Sequence, residues 1–198
     1  MAAGCYLRAV GRDAISPLPA GDAATAAAVA ALLNRELGEG LYRPEWLLED
    51  AASSSAGVWV AGSPPVAGAA VARVLAPTDA DYYRAFGPAA LDLFTGTVGS
   101  FESFAVEPDH RRQGLGSRLV TVSLDWMHER GCTSAVTLSW RSRRTGSSVG
   151  LFRRLGMSEG PTVERFYFEE SLRNGWTCPD CGGPCTCAAT LFTVALTR

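Results

Sequence analysis

The sequence predicts an α/β fold of the α+β kind, in which a mixed sheet packs against helices. The middle of the chain alternates strand, helix, strand and helix, an order that requires a right-handed crossover and some parallel pairing. The strand-like segments on either side are joined as hairpins, which are antiparallel. With 198 residues, 47% of them apolar and 19% charged, the chain is long enough for one compact domain, which we expect to span residues 1–198.

The first part of the chain is predicted to contain one strand and two helices. Residues 6–10 have the alternating pattern of a short strand. Asp22 stands where a helix N-cap is preferred, and the alanine-rich segment behind it is predicted to stay helical as far as Leu37, before Gly38 ends it. Pro44, a residue favoured in the first helical turn, is expected to begin the second helix.

A hairpin and a less regular segment are expected next. Residues 58–61 and 66–75 are strand-like, and the Gly-Ser-Pro-Pro sequence at 62–65 between them is a turn signal. Residues 78–96 contain too many aromatic side chains for a solvated linker. We expect them to form a lid or a short extra helix.

The second half of the chain carries the alternation of strands and helices. Residues 98–106 are predicted to form a strand that Pro108 ends. Apolar residues at three- and four-residue spacing then predict an amphipathic helix over 114–130, with Gly131 as its stop. The remaining predicted elements are a strand over 134–140, a helix over 147–155, and two strands over 163–169 and 189–196 with a cysteine-rich insertion at 176–188 between them.

The turn that follows the strand at 98–106 combines positive charge with missing side chains. Arg111 and Arg112 lie in this turn, and Gly114 and Gly116 stand at the start of the next helix. The first amides of a helix have no partner within the helix, and the helix dipole is positive there. Because the two glycines let a ligand approach those amides closely, the segment is typical of a pyrophosphate-binding site.

The alternative interpretation of Gly114 and Gly116 is a plain strand-to-helix turn, and the neighbouring arginines favour the pyrophosphate site. A P-loop does not fit, because no Gly-Lys-Ser/Thr follows. The dinucleotide-binding fingerprint does not fit either, because it needs a third glycine where this chain has Leu119.

Residues 106–116 have the pattern Val-x-Pro-x-x-Arg-x-x-Gly-x-Gly, which resembles the pyrophosphate-binding motif of the GNAT N-acetyltransferase superfamily. The Leu-Phe-Arg-Arg-Leu-Gly-Met sequence at 151–157 is similar to that family's motif of an aromatic residue four positions before Gly-Phe. The two motifs stand in the family's order and spacing. The resemblance covers residues 6–196 and implies a V-splayed, largely antiparallel mixed sheet of about six or seven strands with about four helices.

The resemblance further implies acetyl-CoA as cosubstrate and direct attack of a substrate amine on its thioester, without a covalent enzyme intermediate. The pantetheine arm is expected to pair with strand backbone, and the thioester oxygen to meet a backbone N–H near Ala105 or Val106. Helix amides are expected to hold the pyrophosphate, with added charge from Arg111 and Arg112. The expected cofactor-binding residues are Phe104, Ala105, Val106, Arg111, Arg112, Gln113, Gly114, Leu115, Gly116 and Ser117.

Glu102 is the candidate general base, because an amine must lose a proton when it acts as a nucleophile. Because side chains alternate along a strand, Glu102 is expected on the same face as Phe104 and Val106. Many members of the resembled family carry a carboxylate on this strand. An exposed strand glutamate held in an ion pair is an equally weighted alternative.

The resembled family often uses a tyrosine of its second motif as general acid, and Phe152 occupies that position here. The asparagine that the family commonly has seven residues earlier is Thr145. Protonating a thiolate of ordinary pKa at pH 7 is worth only about 2 kcal/mol, so activity can survive the change. The replacement acid that we name is Tyr167, and the alternatives left open are Tyr82, Tyr83 and Ser148.

Four of the six cysteines lie in one short run and suit a metal site better than disulfides in a cytosolic chain. Cys-Pro-x-Cys-Gly resembles a zinc knuckle, and four thiolates complete a tetrahedral structural zinc site. A run this short is unusual for a whole site, and an iron–sulfur cluster, disulfides or reduced thiols are the alternatives. Cys5 and Cys132 are expected to be buried as small apolar residues. The expected metal ligands are Cys178, Cys181, Cys185 and Cys187.

Composition limits the partners. A net charge of −2 gives no basic footprint, so nucleic acid is not expected. No targeting segment or membrane span is seen in the sequence, and a cytoplasmic location is expected. The expected acceptor is a small-molecule amine or a protein N-terminal amine, and a homodimer is left open. A non-catalytic acyl-CoA-binding or sensor domain is the alternative function, which Phe152 favours.

Overall fold

The structure is a computed structural model that describes residues 14–141 and 148–196. Its strands are β1 (Ile15–Pro17), β2 (Ala56–Ala61), β3 (Gly68–Val74), β4 (Val98–Val106), β5 (Ser134–Trp140), β6 (Ser158–Val163) and β7 (Ala189–Ala195). Its α-helices are α1 (Ala23–Leu37), α2 (Pro44–Ala52), α3 (Pro88–Asp92), α4 (Leu115–Glu129), α5 (Val149–Arg154) and α6 (Phe168–Asn174). Short 3₁₀ helices cover Pro77–Phe86, Leu93–Thr95 and Pro108–His110.

The seven described strands form one sheet in the order β1-β2-β3-β4-β5-β7-β6. Neighbouring strands are antiparallel except β4 and β5, which are parallel and are connected through α4. The parallel pair at the centre and the antiparallel pairs around it are the mixed arrangement that the sequence predicts. The α/β fold class is therefore confirmed.

The sheet splays open between its two central strands. Residues 98–101 of β4 pair with residues 134–137 of β5, and the pairing stops there. β4 nevertheless continues to Val106 and β5 to Trp140. Residues 102–106 of β4 consequently border a gap instead of a neighbouring strand, as in the V-shaped sheet that the resemblance implies.

Helices cover both faces of the sheet and fix the walls of this gap. On one face, α1 and α2 bury Val29, Leu33 and Leu47 against β2 and β3. On the other face, α4 and α5 bury Leu119 and Phe152 against β3, β4 and β7. Apolar burial of this kind contributes roughly 1.5–3 kcal/mol per large side chain. Both layers are therefore firmly attached to the sheet.

The first helix begins and ends where the sequence predicts. The carboxylate of Asp22 accepts hydrogen bonds from the backbone N–H of Thr25 at 3.0 Å and from its hydroxyl at 2.7 Å. This N-cap lowers the pKa of Asp22, chiefly through the hydrogen bond from the Thr25 backbone. Gly38 follows the last helical residue and donates its N–H to the carbonyl of Asn34 at 3.0 Å. The predicted helix from Asp22 to Leu37 is confirmed.

The segment at 78–96 is helical, as one of the two expectations for it proposed. Tyr83 and Phe86 of its first 3₁₀ helix are buried against Val98 and Val136 of the central strands. The segment therefore covers the sheet beyond α2. Its exposed Tyr82 reaches the gap beside β4.

The predicted strand at 163–169 is wrong. The strand is β6, which ends at Val163, and α6 begins at Phe168. β6 contains Gly160 and Pro161, and it is an edge strand, where a proline is tolerated. A register shift between Glu159 and Thr162 accommodates the two residues. Arg165 then takes a positive φ of 54°, which ends the extended chain before α6.

Three of the predictions concern residues that the structure does not describe. The predicted strand at 6–10, Cys5 and Thr145 lie outside the described residues. Cys132 is buried as expected. In the part of the chain that the structure describes, no helix is long and apolar enough to cross a membrane.

Candidate active site

A cleft of about 1100 Å³ opens where β4 and β5 separate. Residues from both faces of the sheet line it, and β4 forms the boundary between the two sides. After the substrates expected from the sequence, we call the side of α4 and α5 the cofactor side and the side of α1, α2 and α6 the acceptor side. Cofactor-side lining residues include Phe104, Val106, Gly114, Gly116, Ser117 and Leu151. Acceptor-side lining residues include Leu41, Tyr42, Trp46, Tyr82, Glu102, Tyr167, Glu170 and Trp176.

The open edge of β4 presents backbone amides to the cleft. The N–H of Glu107 donates to the carbonyl of Ala67, next to β3, at 2.9 Å. Because amide direction alternates along a strand, the N–H groups of Phe104 and Val106 point away from β3 and into the gap. The N–H of Ala105 points towards β3. Of the two predicted oxyanion donors, Val106 is therefore the one whose amide faces the cleft.

The start of α4 is an uncapped helix end that opens into the same cleft. Gly114 is the N-cap residue and has a φ of 81°, a left-handed conformation that favours glycine. Within residues 14–141 and 148–196, no side chain caps this first turn. Leu115 is buried in the core and anchors the turn. Gly114, Gly116 and Ser117 line the cleft, as the predicted pyrophosphate site requires.

Gly116 leaves open space on the cofactor side of the cleft. A Cβ atom at this position would lie 3.6 Å from Leu151, 3.7 Å from Phe104 and 3.9 Å from Val106. These are ordinary van der Waals distances, so a methyl group fits, whereas a longer side chain would extend into the cleft. The missing side chain thus keeps the space beside the helix amides free.

Two predicted cofactor residues direct their side chains elsewhere. The side-chain amide of Gln113 donates to the carbonyl of Asp109 at 2.9 Å. Leu115 points into the core, where it is 2% exposed. Gln113 and Leu115 can therefore contribute only their backbone N–H groups, and not their side chains, to pyrophosphate binding.

Arg111 is braced by the protein itself. Its Nε donates to the carbonyl of Val106 at 2.9 Å, and its guanidinium forms an ion pair with Glu36 of α1. This contact ties the turn after β4 to α1 while Arg111 still lines the cleft. Arg112 also lines the cleft and is exposed, with a positive φ of 60°.

Arg154 of α5 is a third arginine in the cleft wall that the sequence analysis does not include in the site. Its neighbour Arg153 pairs with Glu159 at 2.5 Å and points away. The signal that could have found Arg154 is its place in the second motif, one helical turn from Leu151. It adds positive charge to the cofactor side.

The predicted parity of Glu102 with Phe104 and Val106 is wrong, because β4 contains a bulge. Phe101 pairs with Ala72 of β3 and Ser103 pairs with its neighbour Val71, so Glu102 is the extra residue. Phe101 and Phe104 consequently lie on the same face, with ring centroids 5.2 Å apart. Glu102 lies on the opposite face, which is the acceptor side.

Glu102 is an exposed residue that lines the cleft. Desolvation raises its pKa, although a hydrogen bond with Ser100 and the charge of Arg73 act in the opposite direction. Arg73 forms its own ion pair with Asp50 at 2.7 Å. Glu102 therefore has no strong ion pair of its own among the described residues, which argues against the alternative of a simple strand ion pair.

The candidates for the general acid differ in whether they are buried or border the cleft. Phe152 is 1% exposed in the core, where its ring lies 5.9 Å from that of Phe104. Tyr167 borders the cleft at the N-terminus of α6, and desolvation raises its pKa. Tyr83 is buried with its hydroxyl 3.2 Å from that of Ser100, so it is the weakest alternative.

The other two alternatives also line the cleft. The hydroxyl of Tyr82 donates to Glu170 at 3.0 Å, and the hydroxyl of Ser148 lies 2.9 Å from that of Ser139. Ser148 belongs to the start of α5 and Tyr82 to the acceptor side. Three hydroxyl groups, those of Tyr167, Tyr82 and Ser148, thus remain near the gap.

The acceptor side combines carboxylates with aromatic rings. Glu49, Asp50, Glu102 and Glu170 all line it, and Arg73 is the basic residue among them. The aromatic residues of this side are Tyr42, Trp46, Tyr82, Tyr167 and Trp176. Such a surface attracts a cation and can stack on it.

The four clustered cysteines come together as predicted. Their sulfur atoms all lie within 4.8 Å of one another. Three of the separations are 3.7 Å (Cys178–Cys187), 3.7 Å (Cys181–Cys187) and 3.8 Å (Cys181–Cys185). A tetrahedral zinc site with Zn–S bonds of about 2.3 Å has sulfur atoms about 3.8 Å apart. A disulfide needs about 2.05 Å, so the spacing fits a shared metal rather than bridges.

Backbone amides support the sulfur cluster. The N–H of Asp180 donates to Cys178 Sγ at 3.4 Å, and the N–H of Thr186 donates to Cys181 Sγ at 3.3 Å. Such hydrogen bonds favour the thiolate forms that bind metal. The donor set and its hydrogen bonds therefore fit a tetrahedral metal site.

Comparison with solved structures identifies the fold class. The chain is similar to the ribosomal-protein-S18-alanine N-acetyltransferase of Escherichia coli, with a TM-score of 0.61, 16% identity, and coverage of 94% of this chain and 95% of that chain. It is similar to Arabidopsis thaliana NAA60 in complex with acetyl-CoA, with a TM-score of 0.65, 11% identity, and coverage of 92% and 97%. A chain of the NatC complex bound to Gag peptide and CoA gives a TM-score of 0.63 at 15% identity, with coverage of 94% and 100%.

The sequence itself establishes the family. The chain belongs to the acetyltransferase (GNAT) family, whose model matches residues 28–157. The matched range contains β4, the start of α4 and α5, and it ends before the cysteine loop. A comparison with curated protein sequences gives no match.

Proposed function

We propose that this protein is an N-acetyltransferase that transfers an acetyl group from acetyl-CoA to a primary amine in a ternary complex. The observation that carries the proposal is that the uncapped start of α4 and the outward amides of β4 open into one cleft. The helix start suits a pyrophosphate. The strand edge suits an extended arm that ends in a thioester.

The residues around the gap divide the chemistry among them. Acetyl-CoA supplies an acetyl group activated as a thioester. The N–H of Val106 donates to the thioester oxygen as negative charge develops there. Glu102 accepts the proton that the amine loses when its nitrogen bonds to the acetyl carbon. As the carbon–sulfur bond breaks, Tyr167 or solvent provides the proton for the departing sulfur.

The acceptor that we propose is the α-amino group of a peptide or protein, with small-molecule amines as the alternative. The carboxylates of the acceptor side attract an ammonium group, and its aromatic rings offer contact for the chain behind it. The similar structures include a ribosomal-protein-S18-alanine N-acetyltransferase and a complex bound to a peptide and CoA, which supports this choice. A cytoplasmic location and a homodimer stay predictions from the sequence.

A thiol-release assay with acetyl-CoA tests the activity. We expect thiol release with peptides that carry a free α-amino group and none with the same peptides blocked at the N-terminus. The chain contains no lysine, so acetylation of its own side-chain amines does not contribute to the signal. Thiol release at the same rate in the presence of N-terminally blocked peptides that contain a lysine would contradict the proposed acceptor.

A non-catalytic acyl-CoA-binding domain is the second candidate, because the aromatic position of the second motif is Phe152 and its ring is buried. The same assay separates the two functions. Binding of CoA with no thiol release across a broad panel of amines would decide for the binding domain.

We further propose that the four-cysteine cluster holds a structural zinc ion with no open coordination position. Purified protein is expected to contain about one zinc per chain by elemental analysis. Cys181→Ser should lose most of it, whereas Cys132→Ala, a change outside the cluster, should retain it. Purified protein that contains neither zinc nor iron would disprove the metal site. Iron together with labile sulfide would show that the cysteines hold an iron–sulfur cluster and not zinc.

A further inference from the structure

The cysteine loop is packed directly against the acceptor side of the cleft. Trp176, Cys178 and Cys185 form one buried apolar cluster, and Cys185 is 0% exposed. Leu41 and Tyr167 pack against this cluster from outside. Trp176, Leu41 and Tyr167 also line the cleft. One side of the cluster therefore holds metal ligands and the other side faces the acceptor.

A short backbone clasp joins this loop to the connection between α1 and α2. Glu39 and Thr177 exchange two hydrogen bonds, of 2.9 Å and 3.0 Å, as an isolated antiparallel bridge. Thr177 immediately precedes the ligand Cys178. Three residues beyond Glu39, Tyr42 lines the cleft together with Ser103 of β4. The clasp thus connects the metal site to the wall beside β4.

A second attachment joins the loop to α6. The N–H of Cys185 donates to the hydroxyl of Ser171 at 2.7 Å, and Ser171 is buried. The same helix carries Glu170, which accepts from the hydroxyl of Tyr82. Tyr167 stands at its N-terminus. The carboxylate and the tyrosine that border the gap therefore sit on an element fastened to a ligand residue.

The loop itself has little regular structure to hold it in place. Between the end of α6 and the start of β7, the described chain contains isolated bridges but no helix or strand. A metal that joins four of its residues would supply the missing cross-links. The cofactor side rests on a separate core under α4 and α5, to which residues 176–188 contribute no side chain among those described.

We propose that the metal in the four-cysteine site positions the acceptor side of the cleft, so that metal loss impairs acceptor binding while CoA binding persists. This inference rests on the proposed zinc site and on the proposed transferase activity. Trp176, Tyr167 and the clasp at Glu39 are the positioning elements, and the metal acts through them without contact with the substrates.

Hydrogen exchange of the whole protein tests the coupling without reference to activity. Removing zinc with a chelator, or by Cys181→Ser, is expected to speed amide exchange in peptides that cover 38–43 and 168–178 by about tenfold or more. Exchange in β4 and α4, and the affinity for CoA, should stay within about twofold. Unchanged exchange around the clasp, or equal acceleration throughout the protein, would overturn the proposal, as would protein that binds no metal.

Gly38→Ala tests the clasp with all four ligands in place. A Cβ atom there would lie 3.0 Å from Leu41, 3.1 Å from the carbonyl of Thr177 and 3.2 Å from the Trp176 ring, so the clasp must shift. We expect normal zinc content and CoA affinity, but a KM for the amine raised about tenfold and faster exchange at 38–43. Gly160→Ala, whose Cβ atom makes ordinary contacts of 3.5 Å on β6, is the matched control.

The two arms distinguish failure of the inference from failure of the proposed function. If the protein shows no turnover, KM cannot be measured. Hydrogen exchange and zinc content then still test whether the metal site is coupled to the acceptor side. Normal KM and normal exchange in Gly38→Ala would show that the clasp does not position the acceptor side, even in an active zinc-containing enzyme.

Discussion

Gly116→Leu is expected to weaken CoA binding by roughly 100-fold to 10,000-fold while the protein stays folded. A leucine side chain there would extend past Leu151 and Phe104 into the space in front of the first amides of α4. Hydrogen bonds to charged groups contribute about 1.5–3 kcal/mol each, so the loss of two corresponds to this range. Isothermal titration with CoA measures the change directly.

The control for this prediction is Ser117→Ala. It keeps the backbone amide and adds no bulk, so CoA affinity should stay close to that of the unchanged protein. Because leucine favours a helix more than glycine does, the thermal midpoint of Gly116→Leu should not fall. Normal CoA affinity in Gly116→Leu would mean that the pyrophosphate does not bind at this helix start.

The features that sequence analysis predicted correctly are local ones. Gly114 and Gly116 indicate an open helix start because missing side chains and unpaired amides belong to a few adjacent residues. The same holds for the cap at Asp22. The spacing of the four cysteines is equally local, since ligands in one short run can meet around one ion whatever the surrounding fold.

The features that it missed depend on neighbouring strands. The bulge at Glu102 exists because β4 must stay in register with β3 on both sides of that residue. The pattern of the single strand carries no trace of it, so counting residues placed the carboxylate on the wrong face. The error has a functional consequence, since the bulge moves Glu102 from the cofactor side to the acceptor side.

Pro161 and Tyr167 show the same limit at the edge of the sheet. A proline disfavours an inner strand but fits an edge strand, and the sequence alone does not say that β6 lies beyond β7. A strand over 163–169 would include Tyr167. In the structure Tyr167 is instead the N-cap residue of α6, and this places its ring between the gap and the cysteine loop.

In the proposed reaction, these two placements let the two substrates approach each other from opposite faces of the sheet. The cofactor side supplies amides and arginines, and the acceptor side supplies carboxylates and aromatic rings. Among the described residues, the two faces meet where β4 and β5 have separated, next to residues 102–106. In the proposed reaction, a carboxylate on the bulge can therefore face an amine while the Val106 amide faces the thioester.

Glu102→Gln is expected to lower kcat/KM by roughly 100-fold to 10,000-fold at neutral pH, the usual contribution of a positioned general base. Desolvation raises the pKa of Glu102 above its ordinary value of 4.5. In the unchanged enzyme the rate should therefore fall as the pH drops through that raised pKa, because the carboxylate becomes protonated and can no longer accept the proton. Glutamine removes this titration, and only the pKa of the amine, about 8 for an α-amino group, then shapes the profile.

The difference between the two enzymes should consequently shrink as the pH rises, since above about pH 8 most of the amine is already deprotonated in solution. Steady-state rates between pH 5 and about 9 with one peptide measure both profiles. Glu49→Gln removes a carboxylate from the same cleft without touching β4, so it should alter KM through lost attraction but keep the shape of the pH profile. A Glu102→Gln enzyme whose profile has the unchanged shape and height would show that the proton leaves the amine by another route.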